Sequence, residues 1–281
     1  MFNEVATRLL EKIAAELSAP DVVFPTSFDL TLRMQAMLKD PDVSIDKLAE
    51  LIKAEPLMST KILAYANSAA LRGSASDAIT DIGKAIMRIG LDAVRSVSYA
   101  MSVEQLIRSR HMLPFQHVSN DIWEHSLSVA AVGRILARQN RMNVEKAFFM
   151  GMIHDLGAFY LLFRCSSDPQ LAANPEALVE LVFEWHDGIG HALLSAMGQQ
   201  EDVLNAVQDH EAPATVTSLN NWTALLTCAD HLGQQIADWV PAELRARNPR
   251  SVSEALLDAE AQADILEQAR EQLASLRAAL F

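Results

Sequence analysis

The chain has 281 residues, half of them hydrophobic, 21% charged and 6% aromatic, enough to bury a large core and unlike a disordered chain, a collagen-like fibre or a disulfide-stapled miniprotein. Its 36 acidic and 23 basic residues leave a net charge of −13, which repels polyphosphate and argues against general nucleic-acid binding. Cys165 and Cys228 form no CxxC pair, the stretch from Met1 to Leu17 is too charged for a signal-peptide core, and about 18 uncharged apolar residues never run together, so a soluble cytoplasmic protein without a membrane span is expected.

In chain order, Phe2, Val5, Leu9, Ile13 and Leu17 make one helical stripe, and Leu48, Leu51 and Ile52 lie on a second helix that Pro56 ends or follows. Leu57, Ile62, Leu63 and Ala66 continue after the proline, which suits a first helical turn. Asn67 and Ser68 are expected to hold a turn through local side-chain bonds. Ile82, Ala85, Ile86 and Ile89 form another stripe, with Gly90 placed as a left-handed cap that closes it, and Val94, Val97, Ala100 and Met101 follow on the next helix.

Periodicity lapses around His111, Leu113, Pro114 and Phe115, which divides the chain into two helical lobes, 1–118 and 119–281. Beyond that boundary, helices are expected at about 119–139, 144–163, 175–197, 201–210, 219–237 and 251–279, the last one laid on the bundle. No stretch alternates cleanly and only ten glycines punctuate the chain, so few hairpins are possible. The fold class is all-α, a two-lobed helical bundle.

Candidate ligands are spread along the second lobe. His125 lies within a helix, His154 and Asp155 adjoin in Gly-Met-Ile-His-Asp-Leu-Gly, and Asp230 sits in Thr-Cys-Ala-Asp-His-Leu-Gly. Imidazole nitrogens with carboxylate oxygens suit divalent metals such as Fe, Mn, Zn or Mg, which generate hydroxide from water and neutralise a phosphate in the transition state. The same residues also suit a core cluster in which histidines and carboxylates satisfy one another, and both readings require them to converge. Asp121, one turn before His125, reads as a solvated acid. His191 and His231 read as surface or supporting residues, and His111 and His117 as solvated ones. Trp123 and Trp185 adjoin candidate ligands and either shield the site or pack the core.

Residues 121–231 resemble an HD domain, whose metal quartet H…HD…D is matched by His125, His154, Asp155 and Asp230. The preceding string narrows the match. It runs through Phe24-Pro25, Leu48-Ala49-Glu50-Leu51-Ile52, Glu55-Pro56-Leu57-Met58, Lys61 to Ser68 and Ala85-Ile86-Met87-Arg88-Ile89-Gly90, and is similar to the HDOD domain of bacterial signalling proteins. The resemblance implies a helical N-terminal lobe on an HD-like lobe and a regulatory or scaffolding role related to the HD-GYP phosphodiesterases. It also implies that His186 and His210 help hold a second metal. Three departures stand out: Glu211 replaces the second histidine of a later pair, Ala158 stands where many HD enzymes carry lysine, and no Gly-Tyr-Pro occurs.

The expectation is therefore a signal-transduction module with a modified metal pocket and little or no catalysis, its partner a signalling protein or a small phosphorylated ligand. The alternative is a metal-dependent phosphohydrolase, with Asp155 the first candidate for catalytic base.

Overall fold

The computed structural model describes residues 2–18, 25, 28–38, 40, 43–68 and 78–280; Met1 and Phe24 of the sequence reading lie outside them. The first half contains α1 (Phe2–Leu17), α2 (Asp29–Leu38), α3 (Ile45–Lys53), α4 (Pro56–Ala66) and α5 (Ile82–Ile107). Pro56 occupies the first turn of α4, where its missing N–H costs nothing. Asn67 holds more than a local turn, since its Nδ2 donates to the carbonyls of Leu63 (2.9 Å) and Ile79 (2.8 Å) while its Oδ1 accepts from Ile79 N–H (2.8 Å).

Gly90 departs from expectation. Its φ of 80° is positive, but ψ is 167°, and α5 kinks there instead of ending. Glycine alone adopts that backbone readily.

A 3-10 turn at Arg110–Phe115 carries Pro114 and leads directly into α6 (Gln116–Gln139). Then follow α7 (Val144–Ile153), α8 (Leu156–Cys165), the single turn α9 (Pro169–Ala172), α10 (Pro175–Ala196), α11 (Glu201–Asp209), β1 (Ala214–Val216), α12 (Trp222–Gly233), the single turn α13 (Ala242–Arg245), β2 (Arg250–Val252) and α14 (Ala259–Leu280). The class is all-α, with a two-stranded parallel ladder that pairs Ala214 with Arg250 and Val216 with Val252.

Three boundaries correct the sequence reading. The helix expected over 144–163 is broken at His154–Asp155, the one expected at 219–237 is shorter, and the one expected from 251 starts at Ala259 because residues 250–252 are extended. The apolar run Val144–Cys165 is long enough to cross a membrane by length and composition, yet 89% of its most apolar window is buried inside the protein.

Buried apolar residues from both halves form one continuous cluster. Tyr99 of α5 meets Phe149 of α7 edge to face at 5.3 Å, and Tyr65 of α4 lies 5.9 Å from Phe148. The last turns of α14 are tied down by polar contacts to α4 and α6. Lys61, buried against Glu104 at 2.6 Å, donates to the Leu280 carbonyl, and Arg277 Nε donates to Glu124 at 2.9 Å.

Candidate metal centre

Two glycines bring the backbone elements of the site together. A Cβ on Gly157 of α8 would stand 1.9 Å from the His186 carbonyl and 2.6 Å from Gly190 N, so α8 and α10 touch backbone to backbone. A Cβ on Gly151 of α7 would come within 2.5 Å of Ala130 in α6. The chain between these glycines breaks its helix at Asp155 (φ −94°, ψ 17°), which starts α8 without capping it through its side chain. His154 and Asp155 are thus turned inward at a junction.

The structure brings all of His125, His154, Asp155, His186, His210 and Asp230 together, none more than 1% exposed. His125 comes from α6, His186 from α10, Asp230 from α12, and His210 from the residue after α11. Each imidazole meets a backbone carbonyl through Nδ1: His125 at Ala237 (2.8 Å), His154 at Gly151 (2.8 Å), His186 at Phe183 (2.9 Å) and His210 at Val207 (2.6 Å). A carbonyl only accepts, so every Nδ1 carries the proton and every Nε2 faces the centre. Among the described residues, Nε2 of His154, His186 and His210 has no hydrogen-bond partner.

Asp155 divides the cluster. Its Oδ2 lies 3.4 Å from His154 Nε2 and 3.9 Å from His125 Nε2, while its Oδ1 lies 3.3 Å from His186 Nε2 and 3.7 Å from His210 Nε2. Asp230 Oδ1 lies 2.8 Å from His125 Nε2 and 3.9 Å from His154 Nε2. Ligands at about 2.1 Å from a tetrahedral ion stand about 3.4 Å apart, so these gaps, all but the His125–Asp230 pair at or beyond the long limit of a hydrogen bond, suit shared coordination. Two donor groups result, His125–His154–Asp155 and Asp155–His186–His210, joined at Asp155.

The electrostatics follow from burial and from this crowding. Burial, reinforced by the charges of His210 and His125, pushes His154 down to about 4 despite the carboxylates. Burial also disfavours charge on His210, but Asp155, Glu211 and Asp230 outweigh it and raise His210 to about 9. His125 is raised for the same reason, by Asp230 and Asp155. Burial works against both carboxylates, yet the surrounding imidazoles hold Asp155 low, and Arg250 with His125 holds Asp230 well below its ordinary value.

Three supporting residues escaped the sequence reading. Trp239 donates its indole N–H to Asp155 Oδ2 at 2.7 Å. Arg250 of β2 donates to Asp230 Oδ2 and to the His210 carbonyl (2.8 Å), and its Nη2 lies 3.2 Å from Glu211. Arg245 donates to the other oxygen of Glu211 at 2.6 Å. Glu211, where the family resemblance implies a second histidine, is therefore a partner of two guanidiniums.

The remaining candidates lie elsewhere. Asp121 pairs with exposed His117 at 2.8 Å, His231 is half-buried beside Gln234, and Trp185 is 47% exposed. Trp123 is buried in the core, and Ala158 is fully buried.

Residues 24–213 match the HDOD domain family. An uncharacterised protein of Treponema pallidum is 22% identical over 71% of the chain, and ribonuclease Y of Fusobacterium nucleatum is 25% identical over 46% of it. The chain spans 40% and 22% of the lengths of these curated relatives. Among solved structures, a candidate metal-dependent phosphohydrolase from Shewanella amazonensis SB2B superposes with a TM-score of 0.70 at 22% identity, over 97% of this chain and 99% of that one.

Proposed function

The chain belongs to the HDOD family, and we propose that it acts there as a regulatory module whose buried histidine–aspartate cluster holds divalent metal for structure or sensing, not for turnover. The donor set fits such ions, because inward Nε2 atoms without partners surround a carboxylate that presents one oxygen to each side. His125, His154, Asp155 and Asp230 would hold one ion, and Asp155, His186 and His210 a second. The imidazole-rich set favours Fe, Mn or Zn over Mg. A bound ion of this kind supplies Lewis acidity toward water and phosphoryl oxygen.

Closure is the observation that carries the regulatory reading. All six donors are at most 1% exposed, and Trp239 lies over Asp155. Hydrolysis needs a phosphate seated for in-line attack with donors aimed at the developing charge. The cation nearest the cluster, Arg250, is committed to Asp230, Glu211 and His210, and Ala158 offers none. Asp155 spends its oxygens on Trp239 and the imidazoles, so in this reading it is a shared ligand and not a general base. The partner is then a signalling protein or a small ligand. The likeness to ribonuclease Y covers under half of the chain, and a charge of −13 disfavours a nucleic-acid partner.

The test is a product assay against cyclic dinucleotides, nucleotides and a generic phosphodiester, with Mn or Fe supplied and Asp155→Ala run alongside. We expect no turnover above the variant. Robust turnover that vanishes in Asp155→Ala would make the protein a metal-dependent phosphohydrolase.

A further inference from the structure

A cleft of about 560 Å³ opens between the two halves of the chain, and none of its lining residues belongs to the histidine–aspartate cluster. Gln35 of α2 and Asp92 and Arg95 of α5 form one wall; Lys146 and Phe149 of α7 and the turn at Gln199 form the other. That volume is typical of small-molecule sites. The two lining cations, Arg95 and Lys146, are each paired with one carboxylate, Asp92 and Asp202.

The wall is built to donate. Gln35 is only 5% exposed, and its Nε2 has no partner among the described residues. Its Oε1 is taken by Gln199 Nε2 at 3.4 Å, and Gln199 also donates to Tyr99 Oη at 3.1 Å, which fixes the amide with its donor end spare. Arg95 spends Nη1 on Asp92 at 2.8 Å and leaves a buried Nε without a partner. Lys146 donates to Asp202 at 2.6 Å and to Gln200 at 3.0 Å. Asp92 and Asp202 are 41% and 44% exposed, and ion pairs with such exposed acids are worth about 0–1 kcal/mol. Exchanging them for a better anion therefore costs little.

Spare donors on two elements, with two exchangeable cations, call for a ligand rich in acceptors and carrying more than one negative charge. We propose that this cleft binds a small organic phosphate monoester. A monoester near neutral pH brings three acceptor oxygens and close to two charges, and it would bridge α2 and α5 to α7. The site is independent of what the metal cluster does.

The experiment is calorimetric titration of the full, EDTA-treated chain with inorganic phosphate, ribose 5-phosphate, AMP and succinate. Ribose 5-phosphate or AMP should bind saturably, more tightly than succinate. Gln35→Leu and Arg95→Gln should each weaken binding about tenfold or more, as expected for losing a hydrogen bond to a charged group. The melting temperature of each ligand-free variant verifies folding, and Gln35→Leu should melt close to the parent, because it removes an unpartnered donor and the acceptor of one long bond from Gln199, which keeps its bond to Tyr99. Absence of binding by every phosphate would overturn the proposal. So would affinity unchanged in both variants, binding that requires added metal, or succinate binding as tightly as the phosphates.

Discussion

Trp239 donates its indole N–H to Asp155 Oδ2 at 2.7 Å across 84 residues of sequence, closing the cluster with the same bond that orients its central carboxylate. Trp239→Phe keeps most of the ring and removes that donor. In EDTA-treated protein it should cost about 1.5–3 kcal/mol, the usual worth of a hydrogen bond to a charged group. Urea unfolding measures it; a loss under about 0.5 kcal/mol, too small for such a bond, would show that the indole is only packing.

Arg250 is 9% exposed and faces Asp230 and Glu211. Removing one partner of a buried ion pair costs about 3–5 kcal/mol, because the stranded charge stays buried. Arg250→Met should show that loss on chemical unfolding, and adding Glu211→Gln should recover part of it. Equal losses in the single and double variants would mean that Glu211 contributes nothing through Arg250.

An added methyl should act oppositely at Gly157 and Gly188. Gly157→Ala forces a Cβ to 1.9 Å from the His186 carbonyl, so it should cost more than about 4 kcal/mol or prevent folding. Gly188→Ala, on α10 with nothing within 4 Å of its added Cβ, should be neutral or stabilise by up to about 1 kcal/mol. Thermal melts of both proteins compare them directly.

Metal-free protein should lose stability as pH rises from neutrality. His210 is raised from 6.5 to about 9 and His125 is raised as well. Their contribution is complete below the unfolded value of 6.5 and disappears as pH climbs through the folded one. His154, lowered to about 4, acts in the opposite sense and removes stability as pH falls from 6.5 toward 4. Melting temperatures of EDTA-treated protein should therefore fall between pH 6.5 and 9, and the decline should shrink in His210→Gln. A flat profile in that window would contradict the assigned charge on His210.

Helical periodicity made the class legible, and the H…HD…D pattern with His186 and His210 named the residues that the fold brings together. The break at His154–Asp155 was hidden because apolar residues continue on both sides of it, and only the flanking glycines mark the close crossings. Trp239 and Arg250 had no local signal. One follows a helix end and the other sits in a three-residue strand, so each acquires its role only from what the tertiary fold places opposite. Gly90 showed its positive φ in sequence, but not whether the helix would end or kink.

The proposed function requires the cluster to hold metal in the folded protein, and elemental analysis of protein purified without added metal, paired with its melting temperature, measures that. At least one equivalent of Fe, Mn or Zn should be found, and Asp155→Ala should lose metal and melting temperature together, since ligand binding to the folded state adds to stability. A metal-free protein whose melting temperature is unchanged by saturating Fe, Mn or Zn would show that the cluster holds no metal.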